Sequence, residues 1–276
     1  GTGGYLGGPI VMGAQKMKIP TFIHEQNAFP GVTNKLLAKR ADIVFLAFPE
    51  AKSRMPAGIR CETVGNPVRQ SFLSATRENA RKKLGLDGAF TIFSVGGSLG
   101  ANKINEMAAD LMAWHSKEGK INHIHGFGKH GRENFPKLLA DRGVSLENCP
   151  RIRAREYIDN MDLCMTAADL IISRAGAITI SELEVVGRAS ILVPYPYAAE
   201  NHQYHNAKVL ADHGAALLIE EKDYDRDALI ARVKALSSDP EETARLGANA
   251  AKLAVYDTAD RICQSILATL AAKGGK

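Results

Sequence analysis

The chain has 276 residues, 45% of them hydrophobic and 24% charged, which is enough for one large domain or two ordinary ones with a full core. Four widely spaced cysteines (Cys61, Cys149, Cys164, Cys263) without a CxxC pair exclude a disulfide scaffold or zinc ribbon and read as ordinary buried thiols in a reducing compartment, and no apolar run approaches the roughly 18 to 20 residues of a membrane span. The net charge is +5, and residues 1–69 hold nine Lys and Arg against four Asp and Glu, so they carry the whole excess: the footprint of an anionic partner or a solvated basic face.

In chain order, the opening GTGGYLGGP has the composition of a loop with no strand before it to hold it, and its start at Gly1 reads as that of a fragment. Strands are expected at Pro20 to His24, Asp42 to Phe48, Phe90 to Val95, Asn122 to Gly126, Leu170 to Ser173, Ser190 to Pro194 and Ala215 to Ile219, with helical patterns between them. Two late helices show apolar stripes expected to face a core. One is Leu229, Ile230, Val233 and Leu236, the other Ala259, Ile262, Cys263, Ile266, Leu267 and Leu270. This alternation is the pattern of an α/β protein with parallel sheets. GNPVR at Gly65 to Arg69 breaks the pattern, so two doubly wound lobes facing a cleft are expected, the first of them incomplete. The loops after Val95, Ser173 and Pro194 should then face the cleft.

Three of these loops carry chemistry. FTIFSVGGSLGANK runs a strand into Gly96, Gly97, Ser98 and Gly100 and then a helix, a candidate phosphate cradle, although Ala101 and Asn102 rule out a Walker A loop. A tight strand-to-helix turn is the alternative. LIISRAGAITISELEVVG presents a second helix start near Ala177, with Glu182 placed to accept ribose hydroxyls. PYPYAAENHQYHNA puts Gln203 and Asn206 one helical turn apart, which suits sugar hydroxyls. His202 and His205 share that spacing, but no third ligand fits and no metal is expected.

In the first lobe TFIH ends in Glu25, Gln26 and Asn27 before Gly31 and a helix carrying Asn34. A carboxylate at a strand's carboxyl end can take a proton from a substrate hydroxyl, and can equally be a cap and loop scaffold. Other patterns are set aside. GFGKHG at Gly126 to Gly131 lacks the acidic partner of a dinucleotide fingerprint, and Asp225 and Asp227 start a helix and read as a cap. His123 and His125 alternate on one strand face as a packed or solvated pair, and the small basic excess without interleaved aromatics argues against nucleic acid.

Taken together, GTGGYLGGP, HEQNAFPGVTNKLLAK, VGNPVR, VGGSLGA, YIDNM, SRAGAITISEL and PYPYAAENHQYHNA stand in the order of the MurG family of glycosyltransferases, which this sequence resembles along essentially its whole length. Members of that family move N-acetylglucosamine from its UDP donor to undecaprenyl-diphosphate-linked N-acetylmuramyl-pentapeptide in peptidoglycan synthesis. The resemblance implies the GT-B architecture, with residues 1–68 the remainder of the acceptor-side lobe, 69–256 the UDP-sugar lobe and 257–276 a helix packing back on the first. Roughly 100 residues of the first lobe, including a GGTGGH loop whose histidine could share or own the base role, would lie upstream of Gly1.

The resemblance also implies donor contacts at Asn27, Arg69, Ser98, Ile158, Ala177, Ile178, Thr179, Ile180, Ser181, Glu182 and Gln203. Arg69 and Ser98 would meet the diphosphate, the Ile158 backbone the uracil, Glu182 the ribose and Gln203 the sugar. Tyr5, Glu25 and Asn34 match the acceptor side, with Glu25 the candidate base. The reaction would be inverting, without metal or other cofactor, at the cytoplasmic face of the membrane, where the basic first lobe would dock peripherally on anionic lipid. Another UDP-sugar enzyme of this architecture, such as an epimerase or a diacylglycerol glycosyltransferase, and a nucleotide-sugar-binding fragment without activity remain the competing expectations.

Overall fold

A computed structural model describes residues 1–274. The chain opens with α1 (Gly4–Lys16), followed by β1 (Phe22–Glu25), α2 (Val32–Ala38), β2 (Ile43–Leu46) and β3 (Cys61–Thr63), the three strands forming a parallel sheet in the order β1-β2-β3. Then come α3 (Gln70–Ser74) and α4 (Arg77–Leu84). The second sheet begins with β4 (Thr91–Val95), α5 (Asn102–His115), β5 (Asn122–Gly126), α6 (Asn134–Ala140), β6 (Ile152–Arg155), α7 (Met161–Ala167) and β7 (Leu170–Ser173). It continues through α8 (Ala177–Val186), β8 (Ala189–Leu192), α9 (His202–Asp212), β9 (Leu217–Leu218), α10 (Arg226–Ser238) and α11 (Pro240–Ala251) to α12 (Thr258–Gly274). Its order is β6-β5-β4-β7-β8-β9, all parallel, so the winding reverses between β4 and β7.

Burial on both faces explains the strand sequences. Phe93, Ile171 and Leu192 pack under α8 and α9, while Ile92, Leu170 and Ile191 pack under α5 and α10. Ala28 and Phe48, from the loops after β1 and β2, join the first of these clusters, so apolar packing is continuous between the two sheets. Leu229, Val233 and Leu236 of α10 are buried as their spacing implies. Asp225 caps this helix by accepting the Ala228 N–H at 2.7 Å, and Thr76 caps α4 in the same way.

Several expectations need correction. The opening segment is a helix rather than a loop from Gly4 onward, although Pro9 sits inside it. Of its glycines only Gly8 faces α2, where a Cβ would meet Thr33 at 3.4 Å, an ordinary contact. Ahead of it, Gly1 pairs with β1, accepting the His24 N–H at 2.8 Å. Strands β3 and β6 were not expected; they are short edge strands with charged residues inside, which hide the apolar signal. Along α12, Ile262 and Ile266 pack on Ile43, Phe45 and Val64 of the first sheet, but Cys263, Leu267 and Leu270 are exposed. Thr258, Ser265 and Thr269 occupy the inner stripe instead, with Thr258 donating to the Val64 carbonyl at 2.7 Å and Ser265 to Glu62 at 2.6 Å. Of the four thiols, all free, only Cys164 is buried, and burial pushes it up to about 12.

Candidate functional site

Open α/β sheets take ligands in the crevice outside the strand ends where the winding reverses, here the ends of β4 and β7. Val95 leads into Gly96 to Gly100, where Gly97 and Gly100 have φ of +90° and +84°. A Cβ at Gly100 would lie 2.2 Å from the Phe127 carbonyl oxygen, so only glycine fits. The Gly100 N–H closes the turn on the Gly97 carbonyl at 2.9 Å. Helix α5 then starts behind Ala101 with no side-chain cap, which leaves its first amides and partial positive charge for an anion.

The GFGKHG segment forms the wall behind this turn. Lys129 N–H donates to the Ser98 carbonyl at 3.2 Å and His130 N–H to the Leu99 carbonyl at 2.9 Å. A Cβ at Gly128 would come within 2.1 Å of the Gly100 nitrogen. Its glycines therefore serve loop-on-loop packing.

Across the crevice α8 starts behind Gly176, also without a side-chain cap. A cavity of about 360 Å³ lies between the two helix starts, lined by Gly97, Ser98, Tyr157, Ile158, Arg174, Thr179 and Gln203 among others. A second hollow of about 630 Å³ opens on the other side of the glycine turn, beside Lys103, His130, Arg174, Tyr195, Gln203 and Glu221. Gln203 stands between the two. Its Oε1 accepts the Tyr195 N–H at 2.9 Å, so its NH2 is the end that can donate to a ligand.

Among the other residues expected at the donor, Ala177, Ile178 and Thr179 make the first turn of α8. Ile180 is fully buried in the core and Ser181 accepts from Asn66 at 3.2 Å, so neither side chain reaches the cavity. Glu182 is mostly buried, which pushes its carboxyl up, and exposed Arg69 opposes this from 3.8 Å. Arg69 also lies over the Phe72 ring, 5.1 Å from its centre.

The acceptor-side residues gather at the end of β1. Glu25 is 1% exposed. Its Oε1 accepts the Asn27 N–H at 3.0 Å and Asn27 Nδ2–H at 3.3 Å; its Oε2 accepts the Gly31 N–H at 3.0 Å and Asn34 Nδ2–H at 2.7 Å. These four donors engage both carboxylate oxygens and tie the loop after β1 to α2. Asn34 is itself buried, whereas Tyr5 is 93% exposed on α1. A hollow of about 210 Å³ bounded by Gly3, Glu25, Asn27, Asn34, Glu200 and His202 faces this loop.

Sequence reasoning missed Arg174, which borders both donor-side hollows. It pairs with Glu221 at 2.5 Å and donates to the Val193 and Pro194 carbonyls, tying the loops after β7 and β8 together. Its place directly before AGA in the second anion-competent loop was the available signal. His202 Nδ1–H donates to the Ala199 carbonyl of its own turn at 2.8 Å and His205 stacks on Phe29 at 4.8 Å, so they do not converge. Among the described residues no group of three or more His, Cys, Asp or Glu side chains is arranged to hold a metal, and no helix is long and apolar enough to cross a membrane.

Comparison with known proteins bears on this geometry directly. The model of the glycosyltransferase family 28 C-terminal domain matches residues 91–262, and that of the family's N-terminal domain residues 1–46. The chain belongs to glycosyltransferase family 28. Among curated relatives, the UDP-N-acetylglucosamine–N-acetylmuramyl-(pentapeptide) pyrophosphoryl-undecaprenol N-acetylglucosamine transferase of Desulforamulus reducens is 41% identical over 254 residues, covering 92% of this chain and 68% of the relative. The same-named enzyme of Carboxydothermus hydrogenoformans is 40% identical over 280 residues, with coverage of 100% and 73%. The crystal structure of Acinetobacter baumannii MurG superposes with a TM-score of 0.78 at 31% identity, covering 97% of this chain and 72% of that one. The two parallel sheets are thus the facing lobes of a GT-B glycosyltransferase.

Proposed function

We infer that this chain transfers N-acetylglucosamine from UDP-N-acetylglucosamine to undecaprenyl-diphosphate-linked N-acetylmuramyl-pentapeptide in peptidoglycan synthesis. The observation that carries the reading is the pair of uncapped helix starts, α5 and α8, facing one crevice in a chain about 40% identical to transferases of that name. Residues 69–256 would bind the donor, residues 1–68 the acceptor, and residues 257–276 would tie the two.

In this reading the acceptor hydroxyl oxygen attacks the anomeric carbon from the face opposite the nucleotide. The bond to the diphosphate oxygen breaks, configuration inverts, and UDP leaves with the electron pair. Negative charge grows on the diphosphate, where the amides of the Gly97 to Ala101 turn and of the first turn of α8, the Ser98 hydroxyl and Arg69 would meet it. We assign that charge to these groups and none of it to a metal or other cofactor. Ile158 would support the uracil, Glu182 the ribose, and Gln203 with Asn27 the sugar. Ile180 and Ser181 would contribute only by holding α8 in place.

For the acceptor side, the hydrogen bonding of Glu25 favours a scaffold over a base: it gathers Asn27, Gly31 and Asn34 into one loop. Tyr5 is the acceptor-side residue free to touch a substrate. We also place the enzyme peripherally on the anionic cytoplasmic face of the membrane. Helix α1 exposes Leu6 and Ile10 along one face with exposed Met17 directly after it, α2 exposes Val32 and Leu36, and Lys16, Lys18, Lys35, Lys39 and Arg40 stand on or beside them. Nucleic acid has no part in this account.

The test is transfer of labelled N-acetylglucosamine to the lipid-linked acceptor, with diacylglycerol as the competing acceptor. A β-linked disaccharide on the lipid-linked acceptor alone supports the reading. Calorimetric binding of UDP-N-acetylglucosamine with no transfer would leave a nucleotide-sugar-binding chain.

A further inference from the structure

A chain of side chains runs through the core beneath the donor crevice, and none of its members has a role in the reaction as described. His115 Nε2 lies 3.0 Å from His123 Nδ1; His123 Nε2 lies 2.8 Å from Ser94 Oγ; Ser94 Oγ lies 2.8 Å from His125 Nδ1; and His125 Nε2 lies 3.1 Å from Asn105 Oδ1. Asn105 Nδ2 then donates to the Phe127 carbonyl at 3.0 Å. All five side chains are at most 2% exposed.

The far end, where Asn105 meets a carbonyl, sets the direction of the chain. A carbonyl only accepts, so the Asn105 NH2 faces Phe127 and its Oδ1 must receive a hydrogen from His125 Nε2. A neutral His125 then has a bare Nδ1, which takes the Ser94 hydroxyl hydrogen at 2.8 Å and gives none to the Ser94 carbonyl, 3.1 Å from the same nitrogen. With its hydrogen spent, Ser94 Oγ accepts from His123 Nε2–H, and the bare His123 Nδ1 accepts from His115 Nε2–H. With Asn105 so placed, all three rings are Nε2–H tautomers and every bond points the same way, an arrangement in which neighbouring bonds polarise one another.

The end point matters because the Phe127 carbonyl is the atom that a Cβ at Gly100 would strike at 2.2 Å, and because the segment after it, Gly128 to His130, is bonded to the glycine turn through Ser98 and Leu99. We propose that the His115–His123–Ser94–His125–Asn105 chain is a positioning device that sets the Phe127 wall and thereby the diphosphate-facing turn Gly97 to Gly100. The inference rests on the donor-site reading above and adds to it a set of buried positioning residues. The short path through Asn105 reaches α5 as well, so one side chain links the wall to the helix whose start faces the donor.

Two measurements separate this inference from the reading it rests on. First, ¹⁵N-edited spectra of the histidine rings report the tautomers without any ligand; three Nε2–H rings are expected, and an Nδ1–H form of His123 or His125 would overturn the chain. Second, UDP affinity is measured by calorimetry for Asn105→Leu, His125→Leu and His125→Gln, with Met107→Ala in the same helix as a control for general loss of core packing. Asn105→Leu and His125→Leu should weaken UDP about tenfold, in line with loss of one buried hydrogen bond. His125→Gln, whose amide N–H can still reach Asn105 Oδ1, should recover most of it. Met107→Ala should lower the melting temperature and leave UDP affinity within about twofold. Equal losses in all four variants, or none in Asn105→Leu, would overturn the positioning role. Wild-type protein that shows the three tautomers yet binds no UDP would instead remove the donor-site reading, and the proposal with it.

Discussion

Asn206 of α9, fully buried, donates from Nδ2 to Asn27 Oδ1 at 3.0 Å across the junction of the two lobes. The same side chain accepts the Ala28 N–H at 2.9 Å and donates to the Ala175 carbonyl at 3.2 Å, so it grips the loop after β1 and the loop before α8 together. Asn66 makes a parallel link, donating to the Gln26 carbonyl, the Ala177 carbonyl and Ser181 Oγ. Asn206→Leu removes three bonds and leaves two buried backbone groups, the Ala28 N–H and the Ala175 carbonyl, without partners, at a cost of about 1 to 3 kcal/mol for each. The variant should lose stability by that order and lose transfer more than UDP binding, because the two substrates' loops would no longer be held in register. Calorimetry beside a transfer assay measures the split.

Glu25→Gln distinguishes scaffold from base. Four donors converge on the carboxylate, and an amide would turn an NH2 toward one pair of them, so the loop from Asn27 to Asn34 should loosen. The expected result is a lower melting temperature and a raised KM for the lipid-linked acceptor, with the acid limb of the kcat profile unmoved. Loss of that acid limb together with a fall in kcat of about 10²-fold or more would return the base role to Glu25.

Stability should fall on both sides of neutrality for different reasons. Burial lowers His115 to about 4 and His125 to about 3, and holds His123 well below the ordinary imidazole range. Below about pH 6.5 the unfolded chain takes up protons that the folded one refuses, so stability drops with falling pH, at about 1.4 kcal/mol per unit for each histidine. Glu184 behaves oppositely: burial and then the nearby Glu50 raise it to about 8, so the folded chain keeps a proton that the unfolded one releases above about pH 4.5, and its contribution is lost as pH rises toward 8. Urea titrations across pH should show both slopes, with Glu184→Gln flattening the alkaline one. A flat profile from pH 4 to 6.5 would contradict the buried, neutral histidines.

Gly100→Ala tests the turn itself. The residue needs a positive φ and has the Phe127 carbonyl where its Cβ would go, so alanine must move the wall or the turn. UDP affinity should fall at least tenfold. Gly88→Ala, a glycine whose Cβ would meet nothing, should leave affinity unchanged in the same titration.

What could be read from the amino-acid order was whatever the chain settles locally. The turns after β4 and β7 announced themselves because glycine and a following helix start are adjacent in sequence, and the central strands because both of their faces are apolar. Edge strands β3 and β6 did not, since CET and IRAR mix charge into a half-covered position. Helix α1 was hidden by its own composition, four glycines and Pro9 in 13 residues, which local propensity reads as a loop. The saturation of Glu25, the inward turn of Ile180 and Ser181, and the chain from His115 to Asn105 depend on partners that sequence order does not place together, and so did the exposure of Leu267 and Leu270 on α12.

The most direct measurement is a crystal structure of this chain with UDP-N-acetylglucosamine bound. The diphosphate should lie against the main-chain nitrogens of the Gly97 to Ala101 turn and the first turn of α8, with the uracil beside Ile158 and the sugar within reach of Gln203. A nucleotide seated elsewhere, with side chains filling the space between those two helix starts, would contradict that placement.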